Sequence, residues 1–279
     1  MRRFWPIMQS IQASWKFAPL NRPFTPSLNT RKLEGVVFDV DGTLCEPQTY
    51  MFSEMRSALG IPKSADILEH VYSLPTPEQQ HQAMELIRDI ERRAMLKQVA
   101  QPGLVDLMTY LDSRGIRKGI CTRNFDTPVN NLLSKFLAGS VFAPIVTRDF
   151  RPPKPDPAGI LHIARSWGLV RRSTGEAGIP ADAKQEEEER RSAGEEDSQN
   201  READGGNLLR TEIGEEVADA SGLIMVGDSI DDITAGRRAG AKTVLLMNDV
   251  NHDLADHEHT DLVISRLDEL IDILENGLL

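Results

Sequence analysis

The stretch Val36-Val37-Phe38-Asp39-Val40-Asp41-Gly42-Thr43-Leu44 decides how the rest of the chain is read. Val36 to Phe38 is apolar, β-branched and aromatic, which predicts a buried strand. It runs into two aspartates at i and i+2, followed by a glycine that lets the chain turn. Alternate strand residues face the same side, so Asp39 and Asp41 are expected to converge just beyond the strand. Two carboxylates at one point repel unless a cation lies between them or one is protonated. Asp and Gly are also ordinary turn formers, so this stretch alone fits an acidic turn equally well.

Outward from it, strands and helices alternate. Arg117 to Cys121 reads as a second strand ending at Thr122-Arg123-Asn124, and Val141 to Val146 as a third. Leu223 to Val226 reads as a fourth, running into Gly227-Asp228-Ser229-Ile230-Asp231-Asp232. Lys242 to Met247 and a short edge strand, Asp261 to Ile264, follow. Amphipathic helices are predicted from Leu104, from Thr127 (as N-cap, with Pro128 at N1), from Ala158, after Asp232 and from Leu267. The pattern predicts an α/β fold: a three-layer Rossmannoid core with a parallel sheet, whose strand C-termini share one ligand-binding edge.

Three segments break the alternation. Residues 1–33 carry six basic side chains and no acid. Phe4, Met8, Ile11 and Trp15 share a helical face there, as in a mitochondrial targeting segment, whereas Pro6, Pro19, Pro23 and Pro26 favour a disordered basic tail. Residues 46–101 show no strand and read as a helical insertion, its longest helix running from about Glu78 to Val99. Residues 170–220 include ten acids and four bases between Ala181 and Gly205, the composition of a disordered acidic loop inside the core. The core is therefore expected over 34–45 and 102–279.

At 279 residues and a net charge of −11, the chain is not built as a general nucleic-acid binder. No apolar run is long enough to cross a membrane. The two cysteines, Cys45 and Cys121, fit buried side chains of a reduced compartment. The expected location is the cytoplasm, with the mitochondrial matrix as the alternative raised by the N-terminus. A monomer or weak homodimer is expected.

Each predicted strand end carries polar chemistry: Asp39 and Asp41, then Thr122, then Lys154 in the loop Arg151-Pro152-Pro153-Lys154-Pro155-Asp156-Pro157, then Asp228 with Asp232 one helical turn on. Singly these are cap or loop residues. Together they suit phosphoryl transfer. Asp39, Asp41 and Asp228 near one point imply a hard cation, and oxygen ligands with phosphate chemistry point to Mg²⁺. Thr122 and Lys154 are candidates to hold phosphate oxygens. Arg123 is a candidate for phosphate contact or for bracing its loop. One carboxylate can act as nucleophile, and a second two residues away can move the proton.

In these residues and their order the chain resembles the haloacid dehalogenase-like (HAD) superfamily, over roughly residues 34–275 apart from the acidic segment. The resemblance implies Asp39 as nucleophile and Asp41 as general acid/base. It implies Mg²⁺ held by the Asp39 carboxylate, the Asp41 backbone carbonyl and Asp228, with Asp232 in support. It also implies Thr122 and Lys154 at the phosphoryl group and residues 46–101 as a short C1-type cap. The expected activity is Mg²⁺-dependent hydrolysis of a small phosphorylated metabolite through an aspartyl-phosphate. A phosphomutase using the same residues, or a scaffold acting through the acidic loop, are the alternatives. The acid at position 41 argues against dehalogenation.

Overall fold

A computed structural model describes residues 15–27, 29–48, 50–172, 216–277 and 279. The central strand β3 (Gly35–Phe38) is buried along its whole length. It pairs in parallel with β4 (Arg117–Cys121) on one side and β8 (Leu223–Gly227) on the other. With β5 (Ile145–Val146), β9 (Lys242–Leu246) and β10 (Leu262–Ile264) they form a six-stranded sheet in the order β10-β9-β8-β3-β4-β5. The chain moves outward from β3 in one direction, then returns beside β3 and moves outward in the other. That reversal opens a crevice at the strand C-termini, where ligands of such sheets bind.

Helices cover both faces, giving three layers. On one face α4 (Leu104–Ser113), α5 (Asp126–Phe136) and α8 (Glu269–Asn276) bury Leu107, Leu111, Leu132, Leu270 and Leu274 against Val36, Phe38 and Ile224. On the other, α6 (Ala158–Ser166) packs on α7 (Ile230–Ala239) and contributes the buried Ile160 and Ile163. A Rossmannoid core was the expectation, and it is found.

Between β3 and α4 the chain forms α1 (Tyr50–Leu59), α2 (Ile67–Ser73) and α3 (Pro77–Leu96). Thr76 caps α3, its Oγ1 accepting from the Gln79 amide at 3.2 Å, and Pro77 takes the first turn, where no amide hydrogen is needed. Ala83, Ile87, Ile90 and Ala94 recur along one α3 face and bury against Met51, Met55, Ile67 and Val71, a second small core. The two connectors to the sheet run antiparallel. Glu46 N donates to Val99 O at 2.9 Å and Gln101 N to Leu44 O at 3.1 Å.

Several local expectations are corrected. Residues 15–33 are not a loose tail: β1 (Lys16–Phe17) pairs with β2 (Thr30–Arg31), Phe17 N donates to Leu279 O at 2.6 Å, and Phe17 and Leu33 are buried in the main core. Prolines exclude helix, not an extended strap with apolar anchors. The helical face proposed from Phe4 to Ile11 lies outside the described residues, and Trp15 stands edge-on to Phe17 rather than in a helix. The third strand shrinks to Ile145–Val146, because Pro144 has no amide to donate to a ladder. α5 starts at Asp126 rather than after Thr127, and no side chain caps it. Most of the acidic segment also lies outside the described residues. Its flanks are ordered: β6 (Val170–Arg172) and β7 (Glu216–Ala218) form an antiparallel pair, a compact unit of its own.

Candidate active site

Asp39 is the first residue beyond β3, and its amide extends the ladder to Val226 O at 3.0 Å. The strand therefore fixes the backbone that carries this carboxylate. Its Oδ1 accepts from Lys154 Nζ at 2.7 Å, and the same ammonium donates to Asp232 Oδ1 at 2.5 Å. All three side chains are buried, with Lys154 only 5% exposed. A buried ammonium is tolerated only when paired, and here two carboxylates flank it. Burial opposes its charge, but Asp232 and Asp39 outweigh burial and hold the Lys154 pKa above its ordinary value.

Asp232 is held from its other side. Ser229 N and Oγ donate to its Oδ2 at 3.0 and 2.6 Å, a capping box at the start of α7. Asp228, one residue past β8, receives Asn248 Nδ2 on Oδ2 at 3.1 Å. Gly227 and Gly42 let these groups approach closely. A Cβ at Gly227 would stand 2.2 Å from Asp232 Cβ, and one at Gly42 (φ +87°) would stand 2.1 Å from Asp228 Oδ2.

Asp39, Asp228 and Asp232 each bring one carboxylate oxygen within 4.8 Å of the others. Burial, eased by Lys154 and aggravated by Asp232, raises the Asp39 pKa to about 6. Burial and the charges of Asp232, Asp39 and Asp41 push Asp228 up to about 8. Carboxylates so poised are short of positive charge, and an all-oxygen set of this kind suits a hard divalent cation such as Mg²⁺. Asp232, bonded on both oxygens to protein groups, is the least free of the three.

The Asp41 carboxylate does not join them. The strand ends at Phe38, and the chain folds into a turn in which Leu44 N donates to Val40 O at 2.9 Å. Period-two alternation therefore stops before residue 41, and the carboxylate instead accepts from Gln48 N at 3.2 Å, with Cys45 Sγ at 3.9 Å. Burial raises its pKa too. Thr122 follows β4, is buried, and its Oγ1 accepts from Asn124 N at 3.2 Å. Arg123 turns to the side: its exposed guanidinium donates to Asp231 Oδ2 at 2.7 Å.

The seven candidate residues expected from the sequence all line one cavity of about 460 Å³ between the strand ends and helices α1 to α3. That is a volume for a small molecule. Sequence reasoning missed Gln48, Asn248 and Asn251. Asn251 Nδ2 ties the Asp228 carbonyl to that of Leu246 at 2.7 and 3.1 Å. Gln48 and Asn251 lie in loops without a repeated pattern, and Asn248, although it follows the fifth strand, carries an uncharged amide with no motif to single it out.

A parallel sheet that brings buried carboxylates and a lysine together at its switch point defines a Rossmannoid α/β core with a ligand-binding edge. Family models agree. Residues 33–175 match the haloacid dehalogenase-like hydrolase family, and residues 207–270 match a HAD-hydrolase-like family. An uncharacterized hydrolase of Saccharomyces cerevisiae is 38% identical, covering 88% of this chain and 93% of its own. A haloacid dehalogenase-like hydrolase domain-containing protein of Arabidopsis thaliana is 32% identical, covering 80% and 74%. Among solved structures, CbbY of Rhodobacter sphaeroides in complex with phosphate shares the fold at 17% identity and a TM-score of 0.55, covering 85% of this chain and 96% of its own. The chain belongs to the haloacid dehalogenase-like hydrolase family.

Proposed function

We propose that the protein is a Mg²⁺-dependent phosphomonoesterase of the C1-capped kind, acting on a small phosphorylated metabolite through an aspartyl-phosphate. The observation that carries this is the separation of the two aspartates of the first motif. Asp39 lies among Lys154, Asp228 and Asp232, whereas Asp41 lies apart on the Gln48 amide. The reading assigns nucleophile and proton carrier accordingly. A Mg²⁺ held by Asp39, Asp228 and the Asp41 backbone carbonyl, with Asp232 in support, would neutralise the carboxylates and the charge of the phosphoryl group.

The chain's own groups account for the rest. An Asp39 oxygen attacks phosphorus, and the bond to the leaving oxygen breaks as Asp41, protonated, gives that oxygen its proton. Asp41, now a carboxylate, takes a proton from water. The water oxygen attacks phosphorus, and the bond to Asp39 breaks, releasing phosphate and restoring both aspartates. Burial shifts the Asp41 pKa upward, toward the protonated form that the acid step uses. Lys154 keeps Asp39 in place and lends charge to the phosphoryl oxygens, with Thr122 as a hydroxyl donor. Helices α1 to α3 act as the cap that covers the cavity and excludes water. The test is phosphate release from p-nitrophenyl phosphate. Turnover with Mg²⁺ that disappears with EDTA and returns with added Mg²⁺ is expected, and undiminished turnover in EDTA would contradict the metal.

A further inference from the structure

The cavity is lined by three arginines, and among the described residues only Arg148 has a guanidinium without a hydrogen-bond or ion-pair partner. Arg123 is bound to Asp231. Arg56 donates from Nε to Ala65 O at 3.3 Å and from Nη1 to Phe52 O at 3.4 Å. Arg148 stands on the sheet core, just past β5, and its backbone amide is fixed to Asn124 O at 2.9 Å. Its guanidinium lies over the Phe125 ring at 4.9 Å and is half-buried. Among the described residues it makes no hydrogen bond and no ion pair. The acid that influences it most is Glu91 of α3, also on the cavity wall, yet the two do not form a salt bridge.

A guanidinium on the cavity wall whose five donors make no hydrogen bond is available to an anion. Its ring contact holds the plane in one orientation, which suits a two-pronged grip on a carboxylate or phosphate. It also shares the cavity with Asp39, Lys154 and Thr122, so one small molecule can touch both ends. We propose that Arg148 is a specificity-determining residue that receives a second anionic group, a carboxylate or a second phosphate, at the end of the substrate away from the transferred phosphoryl group. This rests on the phosphomonoesterase reading for which end reacts.

Binding of three inert probes by titration calorimetry, with Mg²⁺ in excess, tests it. Propylphosphonate has one anionic end, whereas phosphonopropionate and propylenebisphosphonate have two. The full chain is expected to bind one of the two-ended probes about 10- to 100-fold more tightly than propylphosphonate, the gain of a charge-assisted double hydrogen bond. Which probe gains shows whether the second group is carboxylate or phosphate. Arg148→Gln should bring the ratio near one, and Arg148→Lys should restore part of it. A merely structural arginine would weaken all three probes alike and leave the ratio unchanged. A ratio of one in the native protein, a ratio that survives Arg148→Gln, or no binding of any probe overturns the proposal. Turnover of p-nitrophenyl phosphate separates the two readings. Hydrolysis with a ratio of one rejects the Arg148 proposal alone, and a high ratio without hydrolysis rejects the phosphatase reading alone.

Discussion

Asp261 and Asp228 are carboxylates at opposite ends of the same sheet, and they live differently. Asp261 stands just before β10, at the N-terminal end of the strands. It accepts from Arg237 Nη2 at 3.0 Å, Lys242 Nζ at 3.2 Å, Thr243 N at 2.9 Å and Thr243 Oγ1 at 3.2 Å. Its charge is fully answered, so it ties β10, β9 and α7 together. Asp228 stands just past β8, at the C-terminal end. Its side chain has one amide donor from Asn248 and lies close to the Asp39 and Asp232 carboxylates. A carboxylate with every lone pair answered serves the fold, and one left short of positive charge is available to a ligand.

The contrast breaks most visibly under substitution. Asp39→Asn is expected to lower phosphate release by at least about 10³-fold, since it removes the nucleophile rather than a contact. Asp261→Asn should leave turnover within a few-fold and instead lower unfolding stability by about 1.5–3 kcal/mol, as expected for hydrogen bonds to a charged acceptor. Urea unfolding and steady-state assays on both variants check the crossing. If Asp261→Asn proved the more damaging to turnover, the division between the two ends would fail.

Asp41→Asn should slow turnover by roughly 10²–10⁴-fold, the usual worth of a placed acid or base. Its carboxylate lies outside the Asp39–Asp228–Asp232 group, so Mg²⁺ affinity should change little. A Mg²⁺ titration of the variant followed by thermal unfolding measures this, and lost Mg²⁺ response would show that the carboxylate itself holds the ion.

The smallest effect sharpens the electrostatic side. The folded pKa of Asp228, about 8, exceeds its ordinary value of 3.8, so between these limits the folded state holds the extra proton. Its contribution to stability without metal therefore falls as pH rises from about 4 to about 8. In metal-free protein at pH ~8, Asp228→Asn should raise stability by roughly 1–3 kcal/mol, the cost of an unanswered buried group. The advantage should vanish near pH ~4, where both states of Asp228 carry the proton. Added Mg²⁺ should favour the native protein and leave the variant nearly unmoved. A variant less stable than the native protein at both pH values would mean that Asp228 is already compensated.

Much of this was legible in the chain because the chemistry sits where patterns change. Asp39 and Asp228 follow apolar strand runs, and Asp232 lies one helical turn beyond Asp228, whereas the start of that helix at Ile230, capped by Ser229, is not marked. Such strand ends are visible in a hydropathy pattern. The direction of Asp41 was not, because it depends on a turn that ends the period-two alternation. Lys154 was legible as a residue but not as the ammonium shared by Asp39 and Asp232, since those pairs span 115 and 78 positions. Gln48, Asn248 and Arg148 act through loops that carry no periodicity. Residues 15–33 misled for a related reason. Their prolines say what the segment is not, while the anchors Phe17 and Leu33 find partners only in the folded core.

The most direct test of the central claim is chemical. Native protein is mixed with Mg²⁺ and a phosphate-labelled substrate, quenched in acid within a single turnover, digested and mapped by mass spectrometry. The account predicts a phosphoryl group on Asp39, formed before phosphate release and absent in Asp39→Asn. Label on any other residue, or single-turnover phosphate release with Asp39 never modified, would contradict it.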